Sequence, residues 1–153
     1  MKKYEFTGET KVINDWRGTV TLHRIRAVIE FGLVKVGELG GWIEKEENLS
    51  HDMKAWVCGN AEVCGNAKVC GDAKVCKTSH VLVLGPIGSR NDFTTFYRDK
   101  DNEITVKCGC FLGKIDKFLQ KVAETHGDSK CALVYRAAVV MAKTQIDLSE
   151  EDS

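Results

Sequence analysis

Proline is almost absent, with Pro86 the only one in 153 residues. No glycine- or serine-rich stretch divides the chain either, so no flexible linker is evident and one compact unit with soft internal boundaries is expected. No apolar run approaches the roughly 20 residues needed to span a bilayer. Met1, Lys2 and Lys3 lead into polar residues where a signal peptide would have its apolar core, so the expected compartment is the cytoplasm. Net charge is missing too, since Lys plus Arg and Asp plus Glu both number 22. Long-range attraction to bulk nucleic acid or an anionic membrane is thereby excluded as a partner mode, and any anion site must be local.

What is present is a repeat. From Ala55 the chain reads AWVCGN, AEVCGN, AKVCGD and AKVCKT, followed by a degenerate unit beginning SHVLVL. Val57, Val63, Val69, Val75 and Val81 share one phase, and Ala55, Ala61, Ala67 and Ala73 share another. A helix would scatter a period of six around its surface, and a simple strand would not carry a turn residue at every sixth place. A triangular coil answers the pattern, with valine inward, alanine in the tight interior and Gly-Asn or Gly-Asp at the corner. Residues 55–81 are therefore expected to form a short left-handed β-helix that needs capping at both ends and covering by self-association.

Seven cysteines, an odd number with four at a fixed interval, read as reduced thiols. Cys58, Cys64, Cys70 and Cys76 invite a zinc reading. Residues six apart lie on different faces of a triangle, however, and only Cys58 and Cys76, eighteen apart, should stack. Packing is the favoured role for this column and for Cys108 and Cys110, and neither a metal nor a cofactor is expected.

Before the repeat, KKYEFTGET and VTLHRIRAVIEFG read as strands with turns near Gly8, Asp15–Gly18 and Gly32, and GELGGWIEKEENLS as a cap. After it, TTFYR and ITVKC are expected to pair as a hairpin. Apolar residues from Leu112 through Ile115, Phe118, Leu119 and Val122 predict a helix closing at His126-Gly127. A second helix begins at Ser129, with Leu133, Ala137, Val140, Met141 and Thr144 as its inner stripe. The expected class is α+β: an N-terminal β segment and cap (1–50), a hexapeptide β-helix (51–84), an α+β segment with a hairpin and two helices (85–147), and an acidic, disordered tail (148–153).

The repeat units, together with LHRIRA at 22–27 and GELGGWIEKEENLS at 37–50, resemble the left-handed β-helix hexapeptide-repeat family, in particular its phage- and prophage-encoded members of undefined function. That resemblance implies a phage accessory role in the host cytoplasm and a homo-oligomer, with a trimer as the expected count. It also raises acyltransfer from acyl-coenzyme A as an alternative, with His51 and His80 flanking the repeat as candidate bases. No acceptor or nucleophile stands out, so an enzyme ranks below a binding protein and no catalytic residue is assigned.

The most suggestive local chemistry lies in GPIGSRNDFTT. Gly88 permits close backbone approach, Ser89 and Thr95 offer hydroxyls, and Arg90 can hold a phosphate bidentately. Phe93, Phe96 and Tyr97 can add an aromatic face and Asn91 or Asp92 a polar edge. Neither G-x-x-x-x-G-K-S/T nor G-x-G-x-x-G occurs, and an ornate turn with a buried phenylalanine and a solvated arginine competes evenly. Arg24 and Arg26 share a strand face and are candidates to join Arg90 around an anion, although a salt-bridged face is the simpler reading. The leading expectation is a non-catalytic phage protein that sequesters a phosphate-bearing small molecule, such as a nucleotide signal of host defence. A structural or host-protein-inhibiting oligomer is the third alternative.

Overall fold

The computed structural model describes residues 2–148 of the chain. Ten strands, two α-helices and two single-turn 3-10 helices (Glu46–Asn48 and Thr78–His80) make up its regular structure. Strands β1 (Tyr4–Asp15) and β2 (Gly18–Ala27) form an antiparallel hairpin across a tight turn, and β3 (Leu39–Ile43) adds antiparallel to β2. The repeat supplies three two-residue strands: β4 (Trp56–Val57), β5 (Glu62–Val63) and β6 (Lys74–Val75). Next come β7 (Val81–Ile87), β8 (Asp92–Arg98), β9 (Ile104–Cys108) and β10 (Phe111–Lys114), a four-stranded antiparallel sheet in the order β10-β9-β8-β7. Helices α1 (Ile115–His126) and α2 (Lys130–Gln145) complete the described chain. No helix among the described residues is long and apolar enough to cross a membrane.

The expected left-handed β-helix is corrected. The repeat builds no such solenoid, and its short strands are parted between two sheets. β5 is the parallel edge of the N-terminal sheet, against β3, while β4 pairs only with β6. The physical reason is that four units are too few to satisfy one another. Only the first and fourth units pair with each other, and the second and third bond to the segment before the repeat. Trp42 N–H donates to the Ala61 carbonyl (2.9 Å), Glu44 N–H to Val63 (3.1 Å) and Ser50 N–H to Val69 (2.9 Å). Asn48, fully buried, fixes this seam. Its amide donates to the Gly65 and Ala67 carbonyls, and its Oδ1 accepts from the N–H groups of Glu44 and Lys45.

The repeat nonetheless buries its small apolar residues. Val57, Val63, Val69 and Val75 lie in one core with the four repeat alanines, Tyr4, Ile25, Ile43 and Leu49. Gly59, Gly65 and Gly71 turn the corners at φ +60°, +66° and +64°, a region a side chain strains to enter. The expectation of reduced thiols is corrected at one pair. Parallel pairing of β4 with β6 sets Val57 opposite Val75, and the next residues, Cys58 and Cys76, are joined in a disulfide with their Cα atoms 4.5 Å apart.

A second core lies between the C-terminal sheet and the helices: Phe96, Val106, Phe118, Val122, Tyr135, Val139 and Ala142. Helix α1 begins at Ile115, because Leu112 belongs to β10, and ends at His126 with Gly127 N–H donating to the Ala123 carbonyl. The Ser129 side chain caps α2 by accepting from Ala132 N–H. The predicted inner stripe of α2 is out of phase. Ala132, Tyr135, Ala138, Val139 and Ala142 are buried, whereas Leu133, Ala137, Val140, Met141 and Thr144 are exposed. Alanines let α2 sit close to the sheet, and that close approach outweighs the larger residues on the other face. The expected acidic tail, beyond Leu148, lies outside the described residues.

Candidate functional site

The C-terminal sheet ends in two tight turns, and helices α1 and α2 stand beside them. The β7–β8 turn brings Ser89 and Arg90, and the β9–β10 turn brings Cys108 and Cys110. Together with one face of α1 (Phe118, Lys121, Val122, Thr125 and His126) and Tyr135 of α2, they line an open cleft of about 310 Å³. On α1, Lys121 and Thr125 are four residues apart, as are Val122 and His126, so one helix face presents all four.

The floor of the cleft is aromatic. Phe118 meets the Tyr135 ring edge-on at 5.5 Å, and Phe111 packs against Phe118 at 5.5 Å. The His126 ring lies 5.8 Å from that of Tyr135. Burial, reinforced by the neighbouring Cys108 thiol, pushes the Tyr135 phenol up to about 12, so it stays protonated at neutral pH and can donate. The Cys108 sulfur accepts from Thr94 Oγ1 at 3.3 Å. Gly88 is packed so closely that a Cβ there would fall 1.8 Å from Tyr135 Oη.

The rim is cationic. Arg90 and Lys121 are exposed, and their side chains make no hydrogen bond or ion pair among the described residues. The one carboxylate in the lining, Asp92, accepts from Phe93 N–H at 2.8 Å. A chain with no net charge thus holds a local excess of positive charge over an aromatic floor, an arrangement that can take an anionic group joined to a flat body.

The residues singled out in the sequence are divided among three places. Ser89 and Arg90 line the cleft, and Gly88 forms its tight edge against Tyr135. Asn91 is exposed in the turn at φ +49°, its N–H donating to the Gly88 carbonyl (3.3 Å). Phe93 and Thr95 line a smaller cavity of about 150 Å³ with Lys68 and Lys107, and the Thr95 hydroxyl accepts from Lys68 N–H. Arg24 and Arg26 do not join Arg90. Arg24 donates to the Gly40 carbonyl and lies over the Trp42 ring, and Arg26 pairs with Glu5. Sequence reasoning missed Lys121, Thr125, His126 and Tyr135 as site residues. For the three on α1 the only signal was the four-residue spacing, which reads equally well as a solvated helix face, and Tyr135, on α2, had none.

His51 and His80 are committed elsewhere. His51 Nδ1 accepts from Lys3 N–H, its Nε2 pairs with Glu46 at 3.0 Å, and its ring stacks on Tyr4. His80 is buried, with Nδ1 accepting from the N–H groups of Cys76 and Lys77. No protein-family model matches the chain, and no curated protein matches it.

Proposed function

We propose that this cleft binds a phosphate-bearing small molecule, and that the chain is a non-catalytic phage accessory protein, acting in the host cytoplasm, that sequesters a nucleotide signal of host defence. The observation that carries the reading is the pair of uncommitted cations, Arg90 and Lys121, on the rim of a cleft floored by Phe118 and the Tyr135 phenol. A phosphate would sit between guanidinium and ammonium, with Ser89, Thr125 and the turn's N–H groups as further donors. A base or ribose would cover the aromatic floor. The volume of about 310 Å³ suits one nucleotide unit, near the lower end of the range for small-molecule sites.

The test is to incubate the purified chain with cyclic dinucleotides, cyclic trinucleotides and ADP-ribose derivatives, denature it, and identify what is released. Intact ligand supports sequestration, and a converted product would make the chain an enzyme. Calorimetry with the retained compound should show Arg90→Ala and Lys121→Ala each weakening binding roughly tenfold or more, with unchanged circular dichroism. Equal affinity in both variants would refute the site.

A further inference from the structure

The cleft at Arg90 continues past the end of the sheet. Asp92 and Gly109 line it, and both also line the smaller cavity of about 150 Å³ that holds Phe93 and Thr95. The strand register explains how. Thr95 lies opposite Lys107 and Thr94 opposite Cys108, so successive pairs along β8 and β9 face opposite ways. Thr95 and Lys107 face the repeat, while Cys108 packs with Phe96 on the helix side. The two cavities therefore occupy opposite faces of one sheet and meet over its end, at the β7–β8 and β9–β10 turns. A Cβ built at Gly109 would meet nothing within 4 Å, so the passage over the sheet end is open there.

The far cavity has cations of its own. Lys68 is exposed, and its ammonium has no partner among the described residues. The Lys107 ammonium donates to the Gly109 carbonyl, which leaves two of its three N–H bonds to give. The Thr95 hydroxyl accepts from Lys68 N–H at 3.0 Å and so holds the repeat backbone against β8. Between the two pairs of cations stands one carboxylate, Asp92. It repels charge and accepts from hydroxyl groups, so whatever crosses the sheet end is neutral and carries O–H donors. On the reading that the Arg90 cleft holds a nucleotide, we propose that its ligand carries two phosphates, one on either side of a ribose. The first phosphate would lie at Arg90 and Lys121, the ribose would cross over Gly109 with a hydroxyl donating to Asp92, and the second phosphate would meet Lys68 and Lys107. At about 150 Å³ the far cavity has room for an anionic group but falls below the range that takes a whole ligand. A nucleoside 3′,5′-bisphosphate and a 5′-phosphorylated dinucleotide share this chemistry.

Adenine nucleotides are the probes, titrated calorimetrically against the full chain at one salt concentration. Adenosine 3′,5′-bisphosphate should bind roughly tenfold or more tighter than AMP. It should also bind tighter than ADP, whose added phosphate sits beside the first instead of beyond the ribose. Lys68→Ala and Lys107→Ala should each cut the ratio of bisphosphate to AMP affinity severalfold, whereas Arg90→Ala should weaken both compounds. Lys68 is exposed, so its variant decides the matter even where Lys107→Ala disturbs the β9–β10 turn. The linear dinucleotide pApA separates the two sources. Binding at least as tight as the bisphosphate's makes the ligand a dinucleotide, and weaker binding makes it a mononucleotide with two phosphates. A bisphosphate no tighter than ADP, or a ratio that Lys68→Ala leaves intact, would overturn the inference, while AMP binding lost in Arg90→Ala would still uphold the cleft. Failure of every nucleotide to bind would bring down both.

Discussion

Lys3 shows how far burial can move a single group. It is 1% exposed, its Nζ donates to the Ala55 carbonyl at 2.6 Å and lies over the Phe31 ring. Burial lowers its ammonium from the ordinary 10.5 to about 8, with Asp52 opposing. Between those values the unfolded chain binds more protons than the folded one, so stability rises with pH through this interval. Urea denaturation between pH 8 and 9.5 should show a gain of about 1–2 kcal/mol, and Lys3→Met should flatten it. A fall with pH in the wild type would contradict the buried ammonium. Gly88 carries the other prediction at this scale. At φ +79°, with Tyr135 Oη in the place of a Cβ, Gly88→Ala should cost about 2 kcal/mol or more and reduce ligand binding at the cleft, measured by thermal melting and calorimetry. The sequence marked Gly88 as a point of close approach. That a tyrosine 47 positions later approaches it was not legible, because no local signal ties a turn to a distant helix.

Among elements, the pairing of β4 with β6 determines which cysteines meet. The eighteen-residue interval places Cys58 beside Cys76, and the bond between them closes a long loop of the repeat. Loop closure of that length should be worth about 3 kcal/mol. Cys76→Ser should therefore lower the unfolding free energy by that order, and reduction of the wild type should match it in denaturant titrations. Such a bond persists where the surroundings are oxidising, so alkylation of the protein at lysis, with mass spectrometry of Cys58 and Cys76, reads its state in the cell. The α2 helix teaches the opposite lesson. Its sequence allows two stripes, one of large apolar residues and one rich in alanine, and periodicity favours the larger. Close packing of the helix against β7 and α1 selects the alanine face with Tyr135, which is how Tyr135 reaches the cleft.

At the scale of the whole molecule, β8 joins the two cores. Residues Thr94–Arg98 are all buried, and neighbours face opposite ways, with Phe96 in the helix-side core and Tyr97 in the repeat core. Further seams cross from the repeat to the same region. Arg98 Nε donates to the Lys74 carbonyl at 3.0 Å, and Lys100 N–H to the Asp72 carbonyl at 2.9 Å. The two cores should therefore unfold together. Calorimetry should show one transition, and Phe96→Ala and Tyr97→Ala should each lower that same transition by about 3–5 kcal/mol of stability. Two separable transitions would mean that β8 does not couple them.

Local period by itself determined the burial of the repeat valines and alanines, the strand–turn–strand order of the flanks, the end of α1 at His126 and the stacking of Cys58 over Cys76, since each follows from side-chain spacing along a few neighbouring residues. The tertiary structure decided the rest. It gave part of the repeat's backbone to the preceding segment in place of a solenoid, turned the alanine face of α2 inward, split the GSRNDFTT residues between two cavities, and gathered Arg90, Lys121 and Tyr135 from three elements. Those outcomes depend on competition among distant surfaces for the same hydrogen bonds and the same buried volume, which no short stretch of sequence records.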